Sequence, residues 1–155
     1  MTLTLQTYSD GGARGNPGPA AIGAVICDEH GKVLDEASRT IGERTNNQAE
    51  YEALLLALDL AYQRKAKHLK CFADSELLVY QVQGVYRIKN VELKALAEKV
   101  KFSASRFESV TFRQVPREHP MIARADKLLN QTLNKAKAKA PPRPIKTGYA
   151  QEEFF

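Results

Sequence analysis

The segment L-K-C-F-A-D-S-E-L-L-V-Y-Q-V-Q, residues 69–83, changes from a strand pattern to a helix pattern around a single acid, Asp74. Residues 69–73 form a short apolar run of the kind that builds a buried strand, and Ser75 can cap a helix that runs to Gln83 and stops at Gly84. A strand that passes into a crossover helix ordinarily returns to a parallel neighbour. This segment therefore predicts parallel strands.

The residues before this segment predict three strands and a helix. Alternating patterns mark the strands at 3–9, 20–28 and 32–41, and the last two flank a turn at Asp28–Gly31. Between the first two strands, D-G-G-A-R-G-N-P-G-P at 10–19 predicts a long loop. Helical spacing begins at Asn46 or Asn47, either of which can cap a helix that runs to about Arg64.

The residues after this segment add two helices and a strand. Asn90 can cap a helix, residues 109–115 alternate as a last strand, and residues 121–138 predict a final helix. The element order is then β-β-β-α-β-α-α-β-α. It predicts an α/β fold with one five-stranded mixed sheet and helices on both faces.

Composition predicts a single cytoplasmic domain. A chain of 155 residues can bury a full core, and its net charge of +5 makes a polyanionic partner plausible. Cys27 and Cys71 lie apart in apolar runs, so we expect reduced core thiols. The sequence has no 18-residue apolar run and no signal-peptide pattern at its first residues, so we expect no membrane partner.

Four acids lie where this fold could bring them together. Asp10 and Asp74 each follow a strand directly, at the carboxyl edge where open sheets bind ligands. Glu50 lies one turn into the first long helix, and Asp126 lies near the start of the last. Taken singly, each acid also has an ordinary interpretation as a turn, helix-terminus or surface residue.

Four local motifs surround these acids. They are Y-S-D-G-G-A-R-G-N-P-G at 8–18, T-N-N-Q-A-E-Y-E-A-L at 45–54, F-A-D-S-E-L-L-V at 72–79 and A-R-A-D-K-L-L-N at 123–130. In order and context they resemble ribonuclease H, type 1. The resemblance covers about residues 3–135, so we expect a catalytic domain at 1–138 and a Pro-rich basic C-terminal tail at 139–155. The glycine segment matches neither the dinucleotide nor the P-loop fingerprint.

The resemblance implies a sheet of order 3-2-1-4-5 and an endonuclease that hydrolyses the RNA strand of RNA–DNA hybrids, leaving 5′-phosphate and 3′-hydroxyl ends. It implies that Asp10, Glu50, Asp74 and Asp126 are catalytic and hold two Mg²⁺ ions, with Mn²⁺ as the alternative. Hard oxygen ligands suit these cations, and clustered carboxylates need them for neutralisation. Two ions about 4 Å apart can activate water and stabilise the leaving oxygen.

The resemblance also implies residues that contact the substrate. These are Gly11, Gly12, Ala13, Arg14, Asn16, Asn46, Asn47, Ser75 and Glu76. Glu76 departs from family members with Gln there, which leaves its role open, and helix capping is an alternative for the Asn pair. His119, or its neighbour Glu118, matches a loop position that aids proton transfer or product release, although an ordinary exposed loop residue fits equally well.

Three further expectations concern the end of the chain, the partner and the alternatives. The link at 84–90 is too short for the family's basic handle, so Lys135, Lys137, Lys139 and Arg143 could bind the hybrid backbone instead. Phe154–Phe155 could dock on the domain or a partner. We expect a monomer. The alternative functions are a nuclease acting on double-stranded RNA or branched DNA, and a non-catalytic hybrid-binding module.

Overall fold

The computed structural model of the protein describes residues 3–139 and contains five strands and four helices within that range. The strands are β1 (Thr4–Ala13), β2 (Gly18–Asp28), β3 (Val33–Arg44), β4 (His68–Ala73) and β5 (Ser109–Gln114). The helices are α1 (Asn46–Gln63), α2 (Glu76–Val82), α3 (Val91–Ala104) and α4 (Pro120–Lys139). The predicted order of elements is confirmed. The predicted tail from residue 140 onwards, with Arg143 and Phe154–Phe155, lies outside the described residues.

The sheet has the order β3-β2-β1-β4-β5, which confirms the predicted fold class. Strands β1, β2 and β3 are antiparallel neighbours, whereas β4 runs parallel to β1 and β5 runs parallel to β4. The carboxyl ends of β1 and β4 therefore meet at one edge of the sheet. Helices α1, α2 and α3 cover one face of the sheet and α4 covers the other.

Each face has its own apolar core. On the α1 face, Leu5 and Leu69 of adjacent strands pack with Leu58, and all three are at most 1% exposed. On the α4 face, Val25 packs with Ile122. Burial of each such side chain contributes about 1.5–3 kcal/mol. Cys27 and Cys71 are buried and free, as expected of reduced core thiols.

The long loop predicted after the first strand is wrong, because β1 continues to Ala13. Gly11 and Gly12 pair with Ile22 and Ala21, so the glycines extend the β1–β2 ladder instead of ending it. Only residues 14–17 form the turn, which the Arg14 amide closes by donating to the Pro19 carbonyl at 2.8 Å. Gly11 is required for close helix packing, described below, and not for turn formation.

The cap predicted for α1 is also wrong by one residue. Thr45 caps the helix: its hydroxyl accepts from the Gln48 amide at 3.1 Å, and the Gln48 side chain accepts from the Thr45 amide at 2.8 Å. This reciprocal pair satisfies two backbone donors at once and outcompetes a single Asn cap. Asn46 is thereby free to bind another element. The predicted caps of α2 and α3, Ser75 and Asn90, are confirmed.

Within residues 3–139, every helix is too short or too polar to cross a lipid bilayer.

Candidate metal centre

Four acids from four elements line one cavity of about 460 Å³ at the carboxyl edge of the sheet. Asp10 lies in β1, Glu50 in α1, Asp74 directly after β4 and Asp126 in α4. The first three each offer a carboxylate oxygen within 4.8 Å of the other two. The structure therefore brings together all four acids that the sequence singles out, with Asp126 beside a tight group of three.

Two glycines allow the helices that carry Glu50 and Asp126 to approach the sheet. A Cβ on Gly11 would collide with the carbonyl oxygen of Ala49, the residue before Glu50. A Cβ on Gly23, which pairs with Asp10 across the β1–β2 ladder, would lie 2.5 Å from the carbonyl oxygen of Ala125, the residue before Asp126. Absence of side chains at these two positions therefore sets how near both acids come to Asp10.

Burial and mutual repulsion perturb the protonation of these acids. Desolvation, followed by the charges of Asp74, Asp126 and Glu50, raises the pKa of Asp10 from 3.8 to about 8. Burial and the Asp74 charge raise the pKa of Glu50 from 4.5 to about 7, while a hydrogen bond from the Ser75 hydroxyl opposes that shift. The cluster thus holds protons at a pH where isolated carboxyls are ionised.

The pKa of Asp74 is shifted in the same direction, but a cation lies beside this carboxylate. Burial raises its pKa, and the Arg117 guanidinium pulls the pKa of Asp74 back down. Because the three grouped donors are all carboxylate oxygens, the set suits a hard divalent cation and not a soft thiolate-seeking metal. Such a cation would replace the protons and remove the repulsion that the buried charges create.

Several residues predicted to contact substrate line the same cavity. These are Gly11, Gly12, Ala13, Arg14 and Asn46. Asn46 connects them. Its side-chain Oδ1 accepts from the Ala13 backbone amide at 2.9 Å, and its backbone amide donates to Oδ1 of Asn16 at 3.0 Å. Asn46 therefore fixes the end of β1, the 14–17 turn and the start of α1 in one arrangement.

Other predicted contact residues lie around the cavity and not in its wall. Asn47 is exposed in the first turn of α1, and the Ser75 hydroxyl caps α2 by accepting from the Leu78 amide at 3.1 Å. Glu76 is exposed, and its carboxylate accepts from the Tyr86 hydroxyl at 2.9 Å. Their contact with substrate stays a prediction.

His119 lies at the start of α4 and is not part of the cavity wall. Its ring stacks on Tyr8, with the centroids 4.9 Å apart, and its Nδ1 accepts from the Met121 amide at 3.1 Å. These contacts hold the imidazole as a packed, half-buried group. The predicted role of His119 in proton transfer or product release stays a prediction, as does the alternative of Glu118, which is exposed.

Four residues of the cavity wall were not expected from the sequence. They are Arg117, Leu129, Asn130 and Leu133. Arg117 lies two residues before His119, and no sequence motif marks it. The sequence does indicate Asn130 as a neighbour of Asp126, because it follows that acid by four residues and so lies on the same face of the helix.

Comparison with known proteins finds relatives at the level of family, sequence and structure. The family model described as "Reverse transcriptase-like" matches residues 8–130. Among curated proteins, "Ribonuclease HI" of Halobacterium salinarum is 36% identical over 132 residues, and "Bifunctional protein Rv2228c" of Mycobacterium tuberculosis is 39% identical over 129 residues. Among solved structures, "LC11-RNase H1 in complex with RNA/DNA hybrid" is 46% identical with a TM-score of 0.80.

The share of each protein that aligns differs. The matches cover 85% of this chain and 65% of the Halobacterium protein, and 83% of this chain but 35% of the mycobacterial protein. The chain thus spans about a third of the length of the mycobacterial relative. The structural match covers 86% of this chain and 99% of the LC11 chain.

Proposed function

Because the chain belongs to the type 1 ribonuclease H family, we propose that it is an endonuclease that hydrolyses the RNA strand of RNA–DNA hybrids. The observation that carries this proposal is the group of Asp10, Glu50 and Asp74 oxygens within 4.8 Å of one another. Three half-buried carboxylates this close repel one another, and bound cations would relieve that repulsion. The intact group also argues against a non-catalytic binding module.

We propose Mg²⁺ as the physiological cation, two ions per site, with Mn²⁺ able to substitute. Asp10, Glu50, Asp74 and Asp126 would hold the ions, and all four offer the oxygen donors that these metals prefer. When bound, the ions supply an activated water and charge stabilisation for the departing oxygen of an in-line displacement that leaves 5′-phosphate and 3′-hydroxyl ends.

The chain's own residues keep the ligands ready for this chemistry. The Ser75 hydroxyl donates to Glu50, and the Arg117 guanidinium lies near Asp74; both contacts favour the ionised carboxylates that a cation requires. Arg14 and Arg117 are the cations of the cavity wall, where a nucleic-acid phosphate would have to lie against four acids. They reduce the repulsion that such a phosphate meets.

Recognition of the hybrid is proposed to rest on its backbone and minor groove. A-like helices present 2′-hydroxyls in a wide shallow groove, and amide groups can both donate to and accept from these hydroxyls. Asn46 and Asn16 use their Oδ1 atoms for the internal bonds described above, and each also carries an NH₂ group that can donate. A 2′-hydroxyl would also distinguish the RNA strand from the DNA strand.

The direct test uses labelled RNA–DNA, RNA–RNA and DNA–DNA duplexes with Mg²⁺, Mn²⁺ or EDTA. We expect metal-dependent loss of the RNA strand of the hybrid alone. Preferential cleavage of the RNA–RNA or the DNA–DNA duplex would support an alternative nuclease activity and contradict the proposal.

Substitution of Asp10 separates catalysis from binding. We expect Asp10→Asn to abolish cleavage while hybrid binding, measured by fluorescence anisotropy, is retained, because the amide removes a ligand charge without adding bulk. Asp59→Asn is the matched control, since Asp59 is exposed and pairs with Arg106 away from the cavity. Cleavage by Asp10→Asn at the rate of Asp59→Asn would exclude Asp10 from the reaction.

A further inference from the structure

A chain of side-chain contacts runs along the cavity wall from Arg14 to Asp126. The Asn130 NH₂ group donates to the Asp126 carboxylate at 3.2 Å and to the Asp126 backbone carbonyl at 2.9 Å. At its other end, the Asn130 Oδ1 lies 3.4 Å from the Arg14 guanidinium, which also reaches the Asn130 carbonyl at 3.4 Å. One amide thus contacts a cation and a carboxylate at once.

The chemistry of the two neighbours determines the orientation of this amide. A guanidinium can only donate hydrogen bonds and an ionised carboxylate can only accept them. The Asn130 oxygen must therefore face Arg14 and its NH₂ group must face Asp126. An aspartate of the same shape at position 130 would turn a second carboxylate towards Asp126, and an alanine would remove the donor that Asn130 supplies to Asp126.

Asp126 approaches the other acids from the opposite face of the sheet and shares a side-chain hydrogen bond with Asp10. Asp10, Glu50 and Asp74 form the group within 4.8 Å, whereas Asp126 reaches the cavity from α4, on the opposite face of the sheet from α1. Leu129 and Leu133, 3% and 5% exposed, fix the same stretch of α4 against the sheet. The backbone is therefore anchored, and the direction of the Asp126 carboxylate is left to its side-chain contacts.

We infer that Asn130 is a positioning residue that holds the Asp126 carboxylate towards the other three acids, with Arg14 fixing the orientation of the Asn130 amide. The inference rests on the proposed function, because it assigns Asn130 to the same site. Groups that hold metal ligands in place typically change metal affinity or activity by about 10- to 100-fold when they are removed.

Asn134 gives matched controls, because it lies one helical turn after Asn130 on α4 and is exposed. We compare Asn130→Ala and Asn130→Asp with Asn134→Ala and Asn134→Asp. Single-turnover cleavage of hybrid should be about 10-fold or more slower for both Asn130 variants. The KM for hybrid should stay within about twofold, and the Asn134 variants should cleave as the unsubstituted protein does. Equal rates for Asn130→Ala and Asn134→Ala would overturn the inference.

A double-mutant cycle with Asp126→Asn tests whether Asn130 acts through Asp126. If it does, Asn130→Ala should slow cleavage little or not at all once Asp126 is already substituted. A purely structural role would give the same loss in both backgrounds, and that result would contradict the inference. Thermal unfolding of all variants shows whether the helix itself is intact.

Mn²⁺ binding measured by calorimetry provides a readout that does not depend on cleavage. Asn130→Ala should bind Mn²⁺ more weakly than Asn134→Ala, and the difference should vanish in the Asp126→Asn background. If the unsubstituted protein cleaves no hybrid, the proposed function fails, yet the calorimetric cycle still decides the role of Asn130. Identical Mn²⁺ affinities in all backgrounds would refute that role.

Discussion

At the scale of single residues, the Asp10 and Glu50 carboxyls are held in a state that the isolated side chains would not adopt. Burial and neighbouring acids raise the pKa of Asp10 to about 8 and that of Glu50 to about 7. The folded protein without metal therefore binds protons between about pH 4 and pH 8 that the unfolded chain releases. Folding and proton binding are linked in this range.

This linkage predicts how stability changes with pH. Because the folded state holds more protons, the contribution of these acids to the free energy of unfolding is lost as the pH rises from about 4 to about 8. Asp10→Asn removes one of the repelling charges. A tenfold difference in proton affinity corresponds to about 1.4 kcal/mol, so in EDTA the variant should be more stable than the unsubstituted protein by at least about that amount at pH 8.

Urea unfolding at pH 5 and pH 8, with EDTA or Mg²⁺, measures this difference. The gap between the two proteins should be small at pH 5 and larger at pH 8, and Mg²⁺ should stabilise the unsubstituted protein more than the variant. A gap that is independent of pH would show that Asp10 ionises normally.

The residues of the site differ in how far the sequence alone could identify them. The four acids stand in local motifs, so their positions and chemistry were predictable. Arg117 reaches the cavity wall near Asp74 from the link between β5 and α4, and no local sequence pattern predicts this placement. The spacing of four residues from Asp126 could have identified Asn130, but its contact with Arg14, 116 positions earlier in the chain, could not be predicted.

At the scale of elements, the contact between β2 and α4 rests on Gly23. A methyl group there would lie 2.5 Å from the Ala125 carbonyl oxygen, which is closer than atoms can approach, so α4 must shift. We expect Gly23→Ala to cost about 1–3 kcal/mol of stability and to reduce cleavage, because Asp126 moves with the helix.

Gly12→Ala is the stability control for this substitution. Gly12 also faces α4, but its Cβ would meet only the Leu129 side chain, at an ordinary 3.7 Å. Denaturant midpoints should separate the two variants clearly, with Gly12→Ala within about 0.5 kcal/mol of the unsubstituted protein. Equal midpoints for the Gly23→Ala and Gly12→Ala proteins would mean that α4 shifts without loss of stability.

A buried hydrogen bond joins α1 to α2 next to the acids. The Tyr51 hydroxyl, on the residue after Glu50, donates to the Gln81 side-chain oxygen at 2.7 Å, and both residues are less than 9% exposed. We expect Tyr51→Phe to cost about 1–3 kcal/mol, because it leaves the Gln81 oxygen buried without its donor.

Urea unfolding tests this bond, with Tyr62→Phe as the control. Tyr62 is 48% exposed, so loss of its hydroxyl should change stability by less than about 0.5 kcal/mol. A Tyr51→Phe protein as stable as the Tyr62→Phe protein would show that water satisfies Gln81.

The elements themselves were largely predictable, and the two errors have a common cause. Alternating and helical patterns indicate which segments form strands and helices, because these patterns reflect burial on one face. The extension of β1 through Gly11 and Gly12, and the Thr45 cap that leaves Asn46 for Ala13, depend on contacts with other elements. The local conformational preferences of glycine and asparagine do not predict contacts with distant elements.

At the scale of the whole molecule, net charge is the property that bears on hybrid binding. Truncation after Ala138 removes three basic and two acidic side chains, a net charge of +1. We expect it to raise the KM for hybrid and to flatten the dependence of KM on salt, because fewer counterions are released on binding.

Lys67→Ala removes the same net charge at the opposite end of β4 from Asp74 and serves as the control. KM measured from about 50 to 200 mM salt should change with the truncation and not with this substitution. The same salt dependence for the truncated and the full chain would exclude the tail from binding.

The parallel pairing of β1 with β4 also determines at which stage of folding the site forms. Asp10 and Glu50 precede the link between α1 and β4, and Asp74 and Asp126 follow it. Neither half of the chain contains all four acids of the site. The proposed cation site is therefore complete only after the later half of the chain has packed against the earlier half, so a partly synthesised chain lacks the full set of ligands.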